Sequence, residues 1–159
     1  MSSESSAHST TVSSPATSHA SSHTTTPLSA PVVELPTNKE LVLKVIPMPA
    51  DCNANGDIFG GWVMAQVDLA GAVVPARYVD GRMATVAVNE FIFKQPVRVG
   101  DILSFFASVT RVGTTSITVQ VEVYAERFRS QKRYIKVTEA SLTYVAIDDF
   151  GRPCKIAKT

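Results

Sequence analysis

Histidine is nearly absent from this 159-residue chain: the three it has are His8, His19 and His23. All three lie in residues 1–36, a stretch dominated by Ser, Thr, Ala and Pro that holds no Lys or Arg and whose only charges are Glu4 and Glu34. Such a segment has too little apolar surface to offset the entropy of ordering it, and it reads as a disordered tail. It lacks the basic start and apolar run of a secretory signal and the arginines of a mitochondrial transit peptide. From residue 37 onward there is no His at all. That excludes a Ser-His-Asp or Cys-His nucleophile in the folded part, and it leaves no imidazole for a metal. Cysteine is scarce too. Cys52 and Cys154 form no CxxC motif and cannot make a structural zinc site; they suit a reducing compartment. No apolar run reaches the ~20 residues of a membrane span, since the longest, from Trp62 to Ala76, is broken by Gln66 and Asp68. Residues 37–159 carry 15 Lys and Arg against 12 Asp and Glu, a net charge of +3 that is too mild to argue for a nucleic-acid partner. The expectation is a soluble, cytoplasmic protein without a metal, whose chemistry rests on carboxylates, hydroxyls, basic side chains and backbone dipoles.

The remaining pattern is that of one domain, over residues 37–153, with a short C-terminal tail at 154–159. Alternation from Leu41 to Ile46 suggests a strand closed by Pro47 and Pro49. A loop rich in Asn, Asp and Gly covers residues 50–60. From Gly61 to about Tyr78 the pattern is helical, with Trp62, Gln66, Leu69, Val73 and Arg77 at helical spacing. Ala and Val fill most other positions, which predicts a helix buried on several sides. Four strand-like runs follow: Met83 to Phe93, Ile102 to Val112, a strictly alternating stretch around Ile117 to Tyr124, and Arg133 to Ile147. In the last run the apolar parity shifts, which predicts a β-bulge near Thr138 and Glu139. One helix must cover the whole apolar face of an antiparallel sheet, so the sheet must curve around it. The class is α+β, and the element order is that of the hotdog fold: a curved five-stranded antiparallel sheet wrapped around one long central helix. Such a sheet leaves edges to protect, so at least a dimer is expected.

Asn53 to Trp62 form a loop that feeds straight into a helix N-terminus. The first N–H groups of a helix lack internal partners and sit at the positive end of its dipole. Gly60 and Gly61 let a ligand approach that backbone closely, as an oxyanion hole requires. Asp57, just upstream, can act as a general base or attack an acyl group. The same residues also fit a plain capped helix start with glycine hinges. Asp68 lies within the apolar helix, where a carboxylate is costly unless bonded. It reads either as a functional acid or as a partner for Arg77 or a backbone group. Arg127, Arg129, Lys132, Arg133 and Lys136 form a basic cluster across a hairpin turn, suited to a polyphosphate or simply solvated. Gly113, Thr114, Thr115 and Ser116 form a turn with free hydroxyls and N–H groups, which serves a hairpin or a phosphate.

Several segments together resemble bacterial acyl-CoA thioesterases of the YciA type: Met48 to Asp51, Asn53 to Trp62, Gly113 to Ser116, Thr138 to Ala140 and Tyr144 to Ala146. The resemblance spans roughly residues 38–153 and rests most heavily on the ten residues around Asp57. It implies a hotdog fold with active sites at a dimer interface, often in a trimer of dimers. It implies hydrolysis of acyl-CoA to free acid and coenzyme A, with Asp57 as the catalytic carboxylate and Gly60 and Gly61 polarising the thioester carbonyl. In related two-domain thioesterases an acid matching Asp68 is also essential and comes from the opposite unit, which implies Asp68 as a second acid. Contacts to coenzyme A are implied for Asn55, for Gly113, Thr114, Thr115 and Ser116, and for Arg129, Lys132 and Arg133. Coenzyme A then belongs to substrate and product, and no separate cofactor is called for. Two departures stand out: the hairpin between Tyr124 and Tyr134 is shorter than in typical members, and Gln95 stands where a basic residue is expected. A non-catalytic acyl-CoA-binding module is the rival reading. A hydratase of the same fold is weaker, because that chemistry commonly pairs an acid with a His.

Overall fold

The computed structural model of the protein describes residues 31–128 and 132–156. Five strands, β1 (Glu40–Val45), β2 (Arg82–Phe93), β3 (Ile102–Val112), β4 (Ser116–Glu126) and β5 (Tyr134–Ile147), form one antiparallel sheet in the order β1-β3-β4-β5-β2. Helix α1 (Gly60–Val73) packs on its inner face. This is the expected hotdog arrangement. The alternating residues of β4 show why it holds. Ile117, Val119, Val121 and Val123 all point inward and are at most 1 % exposed, against Val63, Val67 and Ala70 of the helix. Burying four such side chains from one strand contributes on the order of 6–10 kcal/mol of transfer free energy before entropy is counted.

Two expectations about the helix are corrected. It ends at Val73 rather than near Tyr78, because Pro75 has no N–H to continue the ladder; the chain goes on as a 3-10 turn over Pro75–Arg77. Nor is the helix buried on several sides within one chain. Val63, Val67, Ala70 and Gly71 are buried, while Met64, Leu69 and Val73 are exposed, Leu69 by 62 %. A helix that is apolar all round carries no internal signal of which face meets the sheet.

The bulge in β5 falls one residue before its expected place. Val123 pairs with Thr138 and Tyr124 with Lys136, so Val137 is the extra residue. Its carbonyl accepts the N–H groups of Lys94 (2.8 Å) and Gln95 (3.3 Å), which fixes the segment that leaves β2. Backbone hydrogen bonds also reach residues on either side of 37–153. Val33 N–H donates to the Tyr134 carbonyl at 2.9 Å. At the other end Cys154 N–H donates to Ala146 and Ile156 N–H to Thr114, both at 2.9 Å, and Ile156 is buried in the core. Residues 1–30, with all three histidines, and Arg129 lie outside the described residues. Among the described residues no helix is long and apolar enough to cross a membrane.

Candidate active site

The loop ahead of α1 is organised by Asn53. Its backbone N–H donates to the Asp57 carbonyl (2.7 Å), and its carbonyl accepts Gly56 N–H (3.0 Å). Its side-chain oxygen accepts the N–H groups of Asn55 (2.9 Å) and Asp57 (3.3 Å). The tight turn needs Gly56, which sits at φ +83°. Beyond Asp57, Ile58 is buried and its N–H donates to Val97 (2.8 Å), while Phe59 N–H donates to Asp51 (2.9 Å). Asp57 is thus held from both sides. Arg98 pairs with it as an isolated β-bridge and approaches its Oδ1 with Nε at 4.0 Å. Because the Arg98 side chain is 67 % exposed, solvent screens that attraction.

The helix start has Phe59 as its N-cap, with no side-chain cap. Asp57 therefore does not serve as the cap, and one of the two simple readings of it falls away. The N–H groups of Trp62 and Val63 both return to the Phe59 carbonyl, at 3.1 and 3.2 Å. Those of Gly60 and Gly61 find no partner among the described residues. A Cβ on Gly60 would sit 3.1 Å from the Phe93 ring, whereas one on Gly61 would meet nothing within 4 Å. The second glycine is not demanded by the chain's own packing, and it leaves the donor exposed. A cavity of about 340 Å³ opens here, lined by Asn53, Asp57, Ile58, Gly60, Val63 and the segment from Phe93 to Val97. One carboxylate and one unspent backbone donor thus share one concave site, with Gln95 in its wall.

The other candidates lie elsewhere. Asp68 is eight residues beyond Gly60, about 12 Å along the helix. It does not pair with Arg77, which is taken by Glu40 through two contacts of 2.6 Å. Its Oδ1 instead accepts the Thr85 hydroxyl (2.7 Å) and lies 3.3 Å from the Tyr144 hydroxyl, which also donates to the Asp68 carbonyl (2.9 Å). The turn from Gly113 to Ser116 closes β3 onto β4, with Gly113 N–H donating to the Ser116 carbonyl (2.7 Å). It sits at the far end of β3 from Arg98, roughly 30 Å from Asp57 by strand rise. Asn55 is exposed and does not line the cavity.

The basic cluster is partly committed. Arg127 binds the buried Asp101 carboxylate and the Pro96 carbonyl. Burial pushes the Asp101 carboxyl up, against the opposing pull of Arg98 N–H and Arg127. Lys136 bridges Glu122 (2.8 Å) and Glu139 (2.6 Å). Lys132 and Arg133 are exposed, Lys132 at φ +64°. Sequence reasoning missed Arg98, Asn53 as organiser, and the hydroxyls of Thr85 and Tyr144. Only Asn53 had a local signal, an Asn followed by a Gly-containing turn; the others come together by strand pairing.

Known proteins are similar to this chain in sequence and fold. The thioesterase superfamily pattern matches residues 55–129. An acyl-CoA thioester hydrolase, YciA, of Salmonella typhimurium is 47 % identical over 117 residues, covering 72 % of this chain and 87 % of that protein. Its Escherichia coli counterpart is 45 % identical over 117 residues, covering 72 % and 88 %. The crystal structure of a hexameric thioesterase from Yersinia pestis superposes with a TM-score of 0.72 at 44 % identity, over 79 % of this chain and all of that one. A hexameric hotdog-fold thioesterase of Campylobacter jejuni gives 0.70 at 43 %, over 74 % and 90 %. The fold and these likenesses define a hotdog thioesterase. Within that class, the chain belongs to the YciA family of acyl-CoA thioester hydrolases.

Proposed function

We propose that the chain hydrolyses acyl-CoA to a free acid and coenzyme A at the cavity between Asp57 and the start of α1. The observation that carries this reading is the cavity shared by the Asp57 carboxylate and Gly60, whose N–H is unbonded, with the unbonded Gly61 N–H next along the chain. The thioester carbonyl oxygen lies against those N–H groups. As the carbon becomes tetrahedral, negative charge develops on that oxygen and fixed donors at a positive helix end stabilise it. As general base, Asp57 takes a proton from the attacking water, the C–S bond breaks, and that proton passes to the departing sulfur, leaving free acid and the coenzyme A thiol. As nucleophile, Asp57 bonds to the carbon and the C–S bond breaks to give a mixed anhydride and a thiolate; water then cleaves the anhydride, releasing the free acid and restoring Asp57, and a proton from solvent completes the thiol. Every group so used is a carboxylate, a backbone donor or water.

The site is completed by other copies of the chain. β2 is a twelve-residue edge strand whose Val86, Val88, Ile92 and Phe93 are exposed, and it continues into the exposed apolar face of α1. An edge of that length and composition favours pairing with a second copy. A two-fold pairing brings Asp68 of one copy toward Asp57 of the other, as second acid. A further copy supplies Gly113, Thr114, Thr115 and Ser116, with the hairpin carrying Arg129, Lys132 and Arg133, to the phosphates of coenzyme A. A trimer of dimers meets both needs, in keeping with the hexameric relatives. The test is incubation with acetyl-, butyryl- and palmitoyl-CoA and a thiol reagent. Catalytic thiol release with at least one of them is expected. Tight binding with no release from any would replace this reading with a binding module.

A further inference from the structure

Tyr144 projects from β5 to the inner face of the sheet and is only 2 % exposed. A Phe would fill this place in the core equally well, so the hydroxyl needs its own explanation. It reaches α1 beside Gly71, where a Cβ would stand 2.4 Å from the phenol oxygen. The helix therefore carries glycine at the one point where the phenol must pass. Beyond it, three residues earlier on the same side of the helix, the hydroxyl meets the Asp68 carbonyl at 2.9 Å and its Oδ1 at 3.3 Å. Oδ1 also accepts Thr85, whereas Oδ2 has no partner among the described residues. No Lys or Arg of the described residues forms an ion pair with Asp68, unlike Asp57, Asp101 and Asp148. Burial, reinforced by the Asp68 charge, raises the Tyr144 phenol far above its ordinary range, so it stays a proton donor.

We infer that Tyr144 is a positioning residue for the reaction: admitted by Gly71, its hydroxyl fixes the Asp68 carboxylate by one oxygen and leaves the other for substrate or water. This rests on the reading of Asp68 as the second acid. The single phenol proton is shared between the Asp68 carbonyl, the shorter contact, and Oδ1, so the hydroxyl seats the helix and orients the carboxylate together. A carboxylate that merely satisfied the core would use both oxygens internally.

The test is steady-state hydrolysis by the intact oligomer of Tyr144→Phe, Asp68→Asn and the double variant. Tyr144→Phe keeps the ring, and is expected to lower kcat about tenfold with KM unchanged, the effect of losing one hydrogen bond to a charged group. Asp68→Asn should lower kcat further. In its background Tyr144→Phe should add nothing, because the hydroxyl acts only through the carboxylate. If Asp68→Asn is inactive but Tyr144→Phe turns over like wild type, the positioning role is overturned and Asp68 stands. If Tyr144→Phe costs the same factor in both backgrounds, its role is structural and the inference fails. Wild-type turnover by Asp68→Asn would overturn the reading beneath it.

Discussion

Asn53 closes the turn that carries Asp57, and Ile58 anchors its far side in the core; the backbone at Asp57 is held from both sides. Asp57 and the two glycines were legible in the sequence as a candidate site, because the residues alone fit either an oxyanion hole or a capped helix start and the family resemblance favours the first. The partner of Asp57 was not, since Arg98 reaches it only through the fold. The same holds for Glu122 on β4. Its side chain is 13 % exposed and takes hydrogen bonds from Lys136 (2.8 Å) and Tyr124 (2.9 Å) and an ion pair from Lys39 (3.0 Å). Burial alone would raise its carboxyl, but these partners outweigh burial and hold it at about 2, against 4.5 for an unperturbed Glu. A depressed folded-state value means stability that is fully present above about pH 4.5 and lost as pH falls toward 2, on the order of 3 kcal/mol. Comparing denaturation midpoints of wild type and Glu122→Gln at pH 7 and pH 3 checks this. The gap between them should narrow in acid; a gap independent of pH would contradict it.

The strands were readable from sequence, because a period of two residues marks the buried face of β4 without ambiguity. The helix was readable as a helix but not as a face, since apolar residues surround it. Bulges stand between these cases. The parity shift in β5 announced an extra residue, but which one depends on pairing with β4, and it proved to be Val137. The bulge leaves a mark on its neighbour. Thr138 is fully buried, and its hydroxyl has no partner among the described residues. A buried hydroxyl without a partner costs about 1–3 kcal/mol. Thr138→Val keeps the branched shape and removes the polar atom, so it should raise the denaturation midpoint, by about 1 kcal/mol in stability. A loss of similar size would show that the hydroxyl is bonded in the assembled protein.

Within one chain the candidate residues stand apart: Asp57 in the cavity lining, Asp68 about 12 Å along the helix from Gly60, and the turn at Gly113 roughly 30 Å away along β3. Strand and helix spacing in one chain holds them apart, so the proposed site needs more than one copy to unite them. If each site takes Asp57 from one copy and Asp68 from another, co-expressed Asp57→Ala and Asp68→Ala subunits should regain activity that neither has alone. Random pairing restores about a quarter of the wild-type sites. No recovery, with mixed oligomers present, would place both acids within one chain or remove Asp68 from the reaction. The claim beneath all of this is that Asp57 performs thioester hydrolysis. The direct measurement is thiol release from a short-chain acyl-CoA by wild type and by Asp57→Ala, each confirmed in the same oligomeric state. The account predicts a fall in kcat of at least about a hundredfold for the variant. Turnover at the wild-type rate would contradict it.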